Sequence, residues 1–161
     1  MKMRIVFHCL PKSLDQDFLN FEQSEKSRFC RASARQVLKR VIATVLKKEK
    51  RLKAKVEIIF LSRRQIEKLN FNYRKKKEPT DVLSFDRANQ FPLEDKNYLG
   101  ELVVCLPYVK KNAKKFKESL KKELARVLIH GILHLLGYNH EKGGKDFKIM
   151  MAKQEKYLLS I

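Results

Sequence analysis

The sequence is short of cysteine, of acidic residues and of long apolar runs, and each shortage excludes a class of protein. Its three cysteines, Cys9, Cys30 and Cys105, are odd in number and far apart in the chain. They predict reduced thiols in a cytoplasmic protein, not a disulfide framework. His8 and Pro11 interrupt the first apolar stretch, so we expect neither a targeting segment nor a membrane span.

The scarcity of acidic residues leaves a strongly basic chain. The 161 residues include 37 Lys and Arg but only 18 Asp and Glu, a formal net charge of +19. Such a charge attracts polyanions over the distance at which salt screens it, so nucleic acid is the first partner to consider. The charge is also compatible with a merely solvated surface, and by itself it names no function.

The order of apolar patterns predicts an α/β protein of the α+β type, folded as one domain over residues 1–161. Apolar segments typical of strands lie at residues 3–10, 54–61, 82–85 and 99–106. About five helices are predicted. The first runs from about Ser27 to Lys48, the second opens with a capping box at Ser62–Gln65, and the third has Pro107 in its first turn. A buried helix follows at 124–136, and a final amphipathic helix carries Phe147, Met150, Met151, Gln154 and Leu158.

Three of the four histidines lie in the stretch HGILHLLGYNH at residues 130–140. His130 and His134 are four apart, so on a helix they project from one face, and Gly137 lets the chain turn to bring His140 to the same ion. Three neutral imidazoles with a fourth position left open to water are typical of a catalytic zinc site. Nickel, copper or iron could occupy the same nitrogens, and histidines bonded to backbone carbonyls in the core are the structural alternative.

The same ligand spacing occurs in metzincin proteases, where a Glu after the first His is the general base. Here Gly131 occupies that position, and the missing carboxylate argues against proteolysis. A glycine inside a helix costs about 1 kcal/mol relative to Ala, so Gly131 indicates either a ligand close to the backbone or tight helix packing.

Three stretches of the sequence resemble the signatures of a known family. HGILHLLGYNH is similar to the H-G-x-L-H-L-x-G-Y-D-H signature of the YbeY family, bacterial metal-dependent endoribonucleases and ribosomal RNA maturation factors. LNFNYRKKKEPTDVLSF at residues 69–85 resembles the family's second signature, and LGELVVC at 99–105 resembles its third. The three matches occur in the family's order between residues 69 and 140.

The resemblance implies a small mixed sheet of about four strands packed with about five helices, the histidines being on a central buried helix. It implies that His130, His134 and His140 are the zinc ligands and that Arg74 is a functional basic residue. The implied activity is metal-dependent cleavage of single-stranded RNA in ribosomal RNA maturation, at the 3′ end of the small-subunit RNA and in ribosome quality control. Two positions depart from the family pattern: Asn139 and Glu101 each stand where the family usually has Asp.

We expect the metal to polarise a phosphodiester oxygen or activate a water while Arg74, Lys75, Lys76 and Lys77 bind phosphates. Arg74, His130 and Glu101 are thus the predicted catalytic residues, and the base is a metal-activated water, the ribose 2′-OH or Glu101. A solvated lysine loop, and an ion pair of Arg74 with Glu101 or Asp81, are the structural alternatives. Two other functions stay open: a non-catalytic ribosome assembly factor with a structural metal, and a metallopeptidase with a distant base.

Overall fold

The computed structural model describes residues 3–9, 34–86, 95–139 and 144–161. Within these ranges the chain forms four strands and five helices, as predicted. The strands are β1 (Arg4–His8), β2 (Lys55–Phe60), β3 (Val82–Asp86) and β4 (Tyr98–Val104). The helices are α1 (Ala34–Lys48), α2 (Arg63–Arg74), α3 (Leu106–Phe116), α4 (Leu120–Leu135) and α5 (Gly144–Leu158).

The strands form one mixed sheet in the order β1-β2-β4-β3. β1 and β4 each pair with β2 in parallel, whereas β3 pairs with β4 in antiparallel orientation. The predicted α/β class and mixed four-stranded sheet are therefore confirmed. Because β3 is last in this order, one of its edges pairs with no strand among the described residues, and we call it the free edge of β3.

The two faces of the sheet carry separate cores. Leu102 and Val104 of β4 point to one face, which we call the α4 face, where they pack with α4, α1 and α5. Val103, next to them in the strand, points to the other face, the α2 face, and packs with Ile66 of α2 and Leu83 of β3. The predicted buried helix is confirmed, because Leu124, Leu128, Ile129, Ile132 and Leu133 of α4 are fully buried.

Gly131 allows α4 to lie close to the sheet. A Cβ atom at this position would be 2.8 Å from Cδ2 of Leu102 and 3.3 Å from Oγ of Ser84. The Ser84 hydroxyl also donates a hydrogen bond to the Gly131 carbonyl at 3.3 Å. Of the two interpretations of Gly131, the structure therefore supports tight packing, here of a helix on a sheet rather than on another helix.

Local sequence signals place the helix starts correctly, with one difference in α5. The Ser62 hydroxyl caps α2 and the Gln65 side chain bonds back to the Ser62 backbone, and Pro107 lies in the first turn of α3. Phe147, predicted on the apolar face of α5, is 44% exposed, and Tyr157 is buried instead. The part of the predicted first helix before Ala34 lies outside the described residues.

Cys9 and Cys105 are free thiols, as predicted, and Cys30 lies outside the described residues. Cys105 is fully buried, and burial raises the pKa of its thiol. In the part of the chain that the structure describes, no helix combines the length and apolarity needed to cross a membrane.

Candidate active site

A cleft of about 760 Å³ follows the free edge of β3. All five residues of β3 line it, together with the end of α2, one side of α4 and part of α5. Successive β3 side chains point to opposite faces of the sheet, so the cleft extends around the edge from the α4 face to the α2 face. This is why residues of α2 and α4, which pack on opposite faces, border the same space.

His130 and His134 project into this cleft from α4, one helical turn apart, as their spacing predicts. Their Nε2 atoms face each other at 3.2 Å, and the rings meet edge to face with centroids 4.8 Å apart. Two Nε2 atoms at this distance need a proton or a cation between them, because two lone pairs directed at each other repel.

Gln154 of α5 determines which nitrogen of His130 faces the cleft. Its Oε1 atom lies 2.9 Å from Nδ1 of His130, and an amide oxygen only accepts. Nδ1 therefore carries the hydrogen, and Nε2 keeps its lone pair directed at the space shared with His134. Metal-bound histidines in proteins are oriented by the same kind of contact.

The residues present fit a zinc ion. Two imidazole nitrogens bound to one tetrahedral zinc stand roughly 3.3 Å apart, close to the separation of these two Nε2 atoms. The third predicted ligand, His140, lies outside the described residues. Within residues 3–9, 34–86, 95–139 and 144–161, no group of three His, Cys, Asp or Glu side chains is placed to hold one ion.

A partly buried polar cluster holds Tyr138, in the loop that follows α4. The Tyr138 hydroxyl donates to Oε2 of Glu49 at 2.9 Å, and Lys153 of α5 donates to Oε1 at 2.7 Å. The Tyr157 hydroxyl also donates to Glu49. Burial opposes ionisation of Glu49, but these hydrogen bonds outweigh it and hold the pKa of the carboxyl below its usual value. The cluster ties α5, which carries Gln154, to the end of α1.

The guanidinium of Arg126 also borders the cleft, and it lies nearer to the start of α4 than His130 does. It pairs with Glu123, whose side chain is only 3% exposed, and Glu118 lies 3.9 Å from its other nitrogen. Burial raises the pKa of Glu123, and the positive charge of Arg126 opposes that effect. Glu123, Val127, His130 and His134 all line the cleft, so they form one stripe of the helix.

Of the predicted phosphate-binding residues, Arg74 lines the cleft at the end of α2, beside Tyr73. Lys75 ends the helix in a left-handed conformation, and Lys76 and Lys77 follow it as exposed residues. The buried Asn70 donates to the Glu78 carbonyl at 2.7 Å and so fixes the start and end of this basic loop relative to each other. The three lysines therefore directly follow Arg74, the residue that lines the cleft.

The structure does not bring Glu101 together with the histidines. In β4 Glu101 points to the α2 face, because its neighbour Leu102 meets Gly131 on the α4 face. Its Oε1 atom accepts a hydrogen bond from the Tyr98 hydroxyl at 3.3 Å. Among the described residues, the carboxylates that border the cleft are those of Asp81, Asp86 and Glu123. Asn139, the other departure from the family pattern, also borders it.

Sequence reasoning did not select Gln154, Arg126 or Tyr73 as site residues, although all three line the cleft. Gln154 and Arg126 carried a signal. Gln154 lies on the apolar face of α5 and Arg126 lies among the mostly apolar residues of α4, and a polar residue in either place needs a partner. Tyr73 carried none, since an exposed aromatic side chain cannot be distinguished from a buried one by its position beside Arg74.

Comparison with known proteins places these features in a family. A family model described as Endoribonuclease YbeY matches residues 19–161. The chain belongs to the endoribonuclease YbeY family. The resemblance inferred from the three signatures is thereby confirmed.

Individual family members match over most of the chain. The endoribonuclease YbeY of Thermotoga maritima is 44% identical over 103 residues, which are 64% of this chain and 65% of that protein. That of the Aster yellows witches'-broom phytoplasma is 43% identical over 116 residues, 71% of this chain and 76% of the relative. The solution structure of TM1509 from Thermotoga maritima is similar with a TM-score of 0.57 and 35% identity, covering 97% of this chain and 86% of that one.

Proposed function

We propose that this YbeY-family protein is a metal-dependent endoribonuclease that cuts single-stranded RNA in ribosomal RNA maturation. One observation carries the proposal: the Nε2 atoms of His130 and His134 converge at 3.2 Å in a cleft bordered by two guanidinium groups. The names of the relatives, which are endoribonucleases, support the same activity.

His130 and His134, with His140, would hold the metal, and zinc suits their nitrogen donors best. A bound zinc ion supplies Lewis acidity and lowers the pKa of its water to about 7. Gln154 keeps the lone pair of His130 Nε2 directed at the site. Because the imidazoles are neutral, they do not reduce the attraction of the site for an anionic substrate.

Arg74 and Arg126, which line the same cleft as the histidines, would bind phosphates. A guanidinium can donate two parallel hydrogen bonds to a phosphate and stabilise the charge that develops during cleavage. Lys75, Lys76 and Lys77 would add affinity through charge. The net charge of +19 favours RNA over peptide as substrate, and the absence of a carboxylate at Gly131 removes the base that a metzincin protease uses.

The finer parts of the proposal follow from family membership. We expect the substrate to be ribosomal RNA at the 3′ end of the small-subunit RNA, the partner to be the small ribosomal subunit, and the location to be the cytoplasm. A role in ribosome quality control belongs to the same expectation.

The test is cleavage of single-stranded and structured RNA by zinc-loaded protein, compared with His134→Ala and Arg74→Ala. We expect both variants to lose at least ten-fold in rate, since each removes a group that contacts metal or phosphate. Lys39→Ala, an exposed cation outside the cleft, is the matched control for Arg74→Ala. Glu101→Gln tests the predicted base: an active variant would leave the ribose 2′-OH and an activated water as the candidates.

The outcomes separate the alternatives. RNA binding without metal-dependent cleavage would favour a non-catalytic assembly factor, and hydrolysis of peptides but not RNA would favour a metallopeptidase. Equal cleavage by the wild type and both variants would assign the activity to a contaminant and overturn the proposal.

A further inference from the structure

Tyr73 exposes its ring to an unusual degree. All five tyrosines of the chain lie in the described residues, and Tyr73, with 67% of its surface exposed, is the exposed one among them. A large aromatic surface left in water loses the free energy that burial provides, so a ligand that covers it is favoured.

The ring of Tyr73 is nevertheless held in place. Phe85 of β3 meets it edge to face, with ring centroids 4.8 Å apart and planes inclined at 68°. Phe85 itself packs against the core on the α2 face. Because this contact fixes the ring without covering most of it, a ligand that stacks on Tyr73 pays little entropy for ordering the side chain.

Tyr73 also stands in the right place for a nucleotide. It lines the same cleft as His130 and His134, and the next residue, Arg74, brings a guanidinium to that cleft. A nucleotide of a single strand needs these two surfaces side by side, an aromatic ring for its base and a cation for its phosphate.

We propose that Tyr73 is a base-stacking residue that binds an unpaired nucleobase beside the phosphate held by Arg74. The inference rests on the proposed function and deepens it, because it explains why this cleft would select single strands. Bases in a duplex are stacked on each other and cannot reach the ring, whereas unpaired bases stack on exposed aromatic side chains.

The test measures binding of an eight-nucleotide 2′-O-methyl RNA that contains one 2-aminopurine, a base whose fluorescence is quenched by stacking. Zinc-loaded wild-type protein is expected to quench the fluorescence. Gel analysis of the same samples is the control that the strand stays uncut. Tyr73→Ala is expected to raise the Kd about 5- to 150-fold and to abolish the quenching. Tyr73→Phe is expected to keep the wild-type Kd and the quenching, because it retains the aromatic ring. Phe116→Ala removes another exposed aromatic side chain that lies beside a lysine, and should change neither.

Two further ligands distinguish stacking from a loss of charge or of fold. Tyr73→Ala is expected to bind a perfect RNA duplex and inorganic polyphosphate as tightly as wild type, because neither offers an unpaired base. An equal loss for polyphosphate, an unchanged Kd for the single strand, or no quenching by wild type would each overturn the inference. Binding with quenching but without cleavage of unmodified RNA would contradict the proposed nuclease activity and would still support the role of Tyr73.

Discussion

Gln154 accepts a hydrogen bond from Nδ1 of His130 over 2.9 Å, and this contact joins two residues that are 24 positions apart. Gln154 is 7% exposed, so the bond is shielded from water. The next residue towards the N-terminus, Lys153, is bound to Glu49, which holds α5 against the end of α1. The position of Nε2 of His130 therefore depends on how α5 packs.

Two replacements of Gln154 should differ in their effect on zinc affinity, because only one of them removes the acceptor. Gln154→Leu keeps the size but removes the acceptor, so we expect the Kd for zinc to rise about 10- to 100-fold. Gln154→Glu keeps an acceptor and adds a negative charge that makes the imidazole more basic, so its Kd should equal or fall below that of wild type. Competition with a chromophoric chelator at pH 7 measures the Kd for zinc of the wild type and of both variants. Equal affinities in the two variants would contradict this role for Gln154.

Gly131→Ala should destabilise the protein although Ala is the better helix former. The new Cβ would lie 2.8 Å from the buried Leu102 side chain. Such overpacking costs about 1–3 kcal/mol, and the middle of that range, about 2 kcal/mol, exceeds the roughly 1 kcal/mol gained in helix propensity. Denaturant unfolding measures the change in the free energy of unfolding. Adding Leu102→Val makes room, so the double variant should lose less free energy of unfolding than the two single changes summed. Strict additivity would show that the contact is not tight.

Glu49→Gln should reduce stability at neutral pH and lose that effect in acid. The pKa of Glu49 in the folded protein lies below its ordinary value of 4.5, so its stabilisation is complete above pH 4.5 and is lost as the pH falls through the lowered pKa. We expect Glu49→Gln to cost about 2 kcal/mol at pH 7, from hydrogen bonds to a charged group. Thermal unfolding between pH 3 and 8 measures the difference, which should narrow in acid. Glu155→Gln, at an exposed position of α5, should show no such trend.

The basic loop after α2 should account for part of the salt dependence of RNA binding. Each phosphate of a single strand that a cation neutralises contributes about −0.7 to the slope of log K against log salt. Changing Lys75, Lys76 and Lys77 together to Ala should therefore make the slope less steep by about 2. The control changes the exposed residues Lys39, Lys47 and Lys53, which lie outside the cleft. Identical slopes of log K against log salt in both triple variants would show that the loop is a solvated surface that does not bind RNA phosphates.

The parts of the fold that the sequence predicted well depend on residues close together in the chain. The capping box of Ser62 and Gln65 needs only one turn of helix, and the pairing of His130 with His134 needs only an intact α4. Such contacts follow from the helical period, whatever the rest of the chain does.

The placement of Glu101 and Tyr73 could not be predicted in this way. β4 is buried on both faces, so its apolar pattern does not indicate which face meets α4. Only the packing of Leu102 under Gly131 directs Glu101 away from the histidines. Tyr73 reaches the cleft because β3 is the edge strand, a property of strand order.

Local patterns in the sequence are enough to predict the elements, the spacing of two histidines on one helix face and the basic character of the chain. The contact of Gln154 with the His130 ring, the attachment of α5 to Glu49 and the extension of the cleft around the β3 edge to Tyr73 follow from the folded arrangement of distant segments. The reason is physical: helical periodicity acts over a few residues, whereas these contacts arise from packing between segments far apart in the chain.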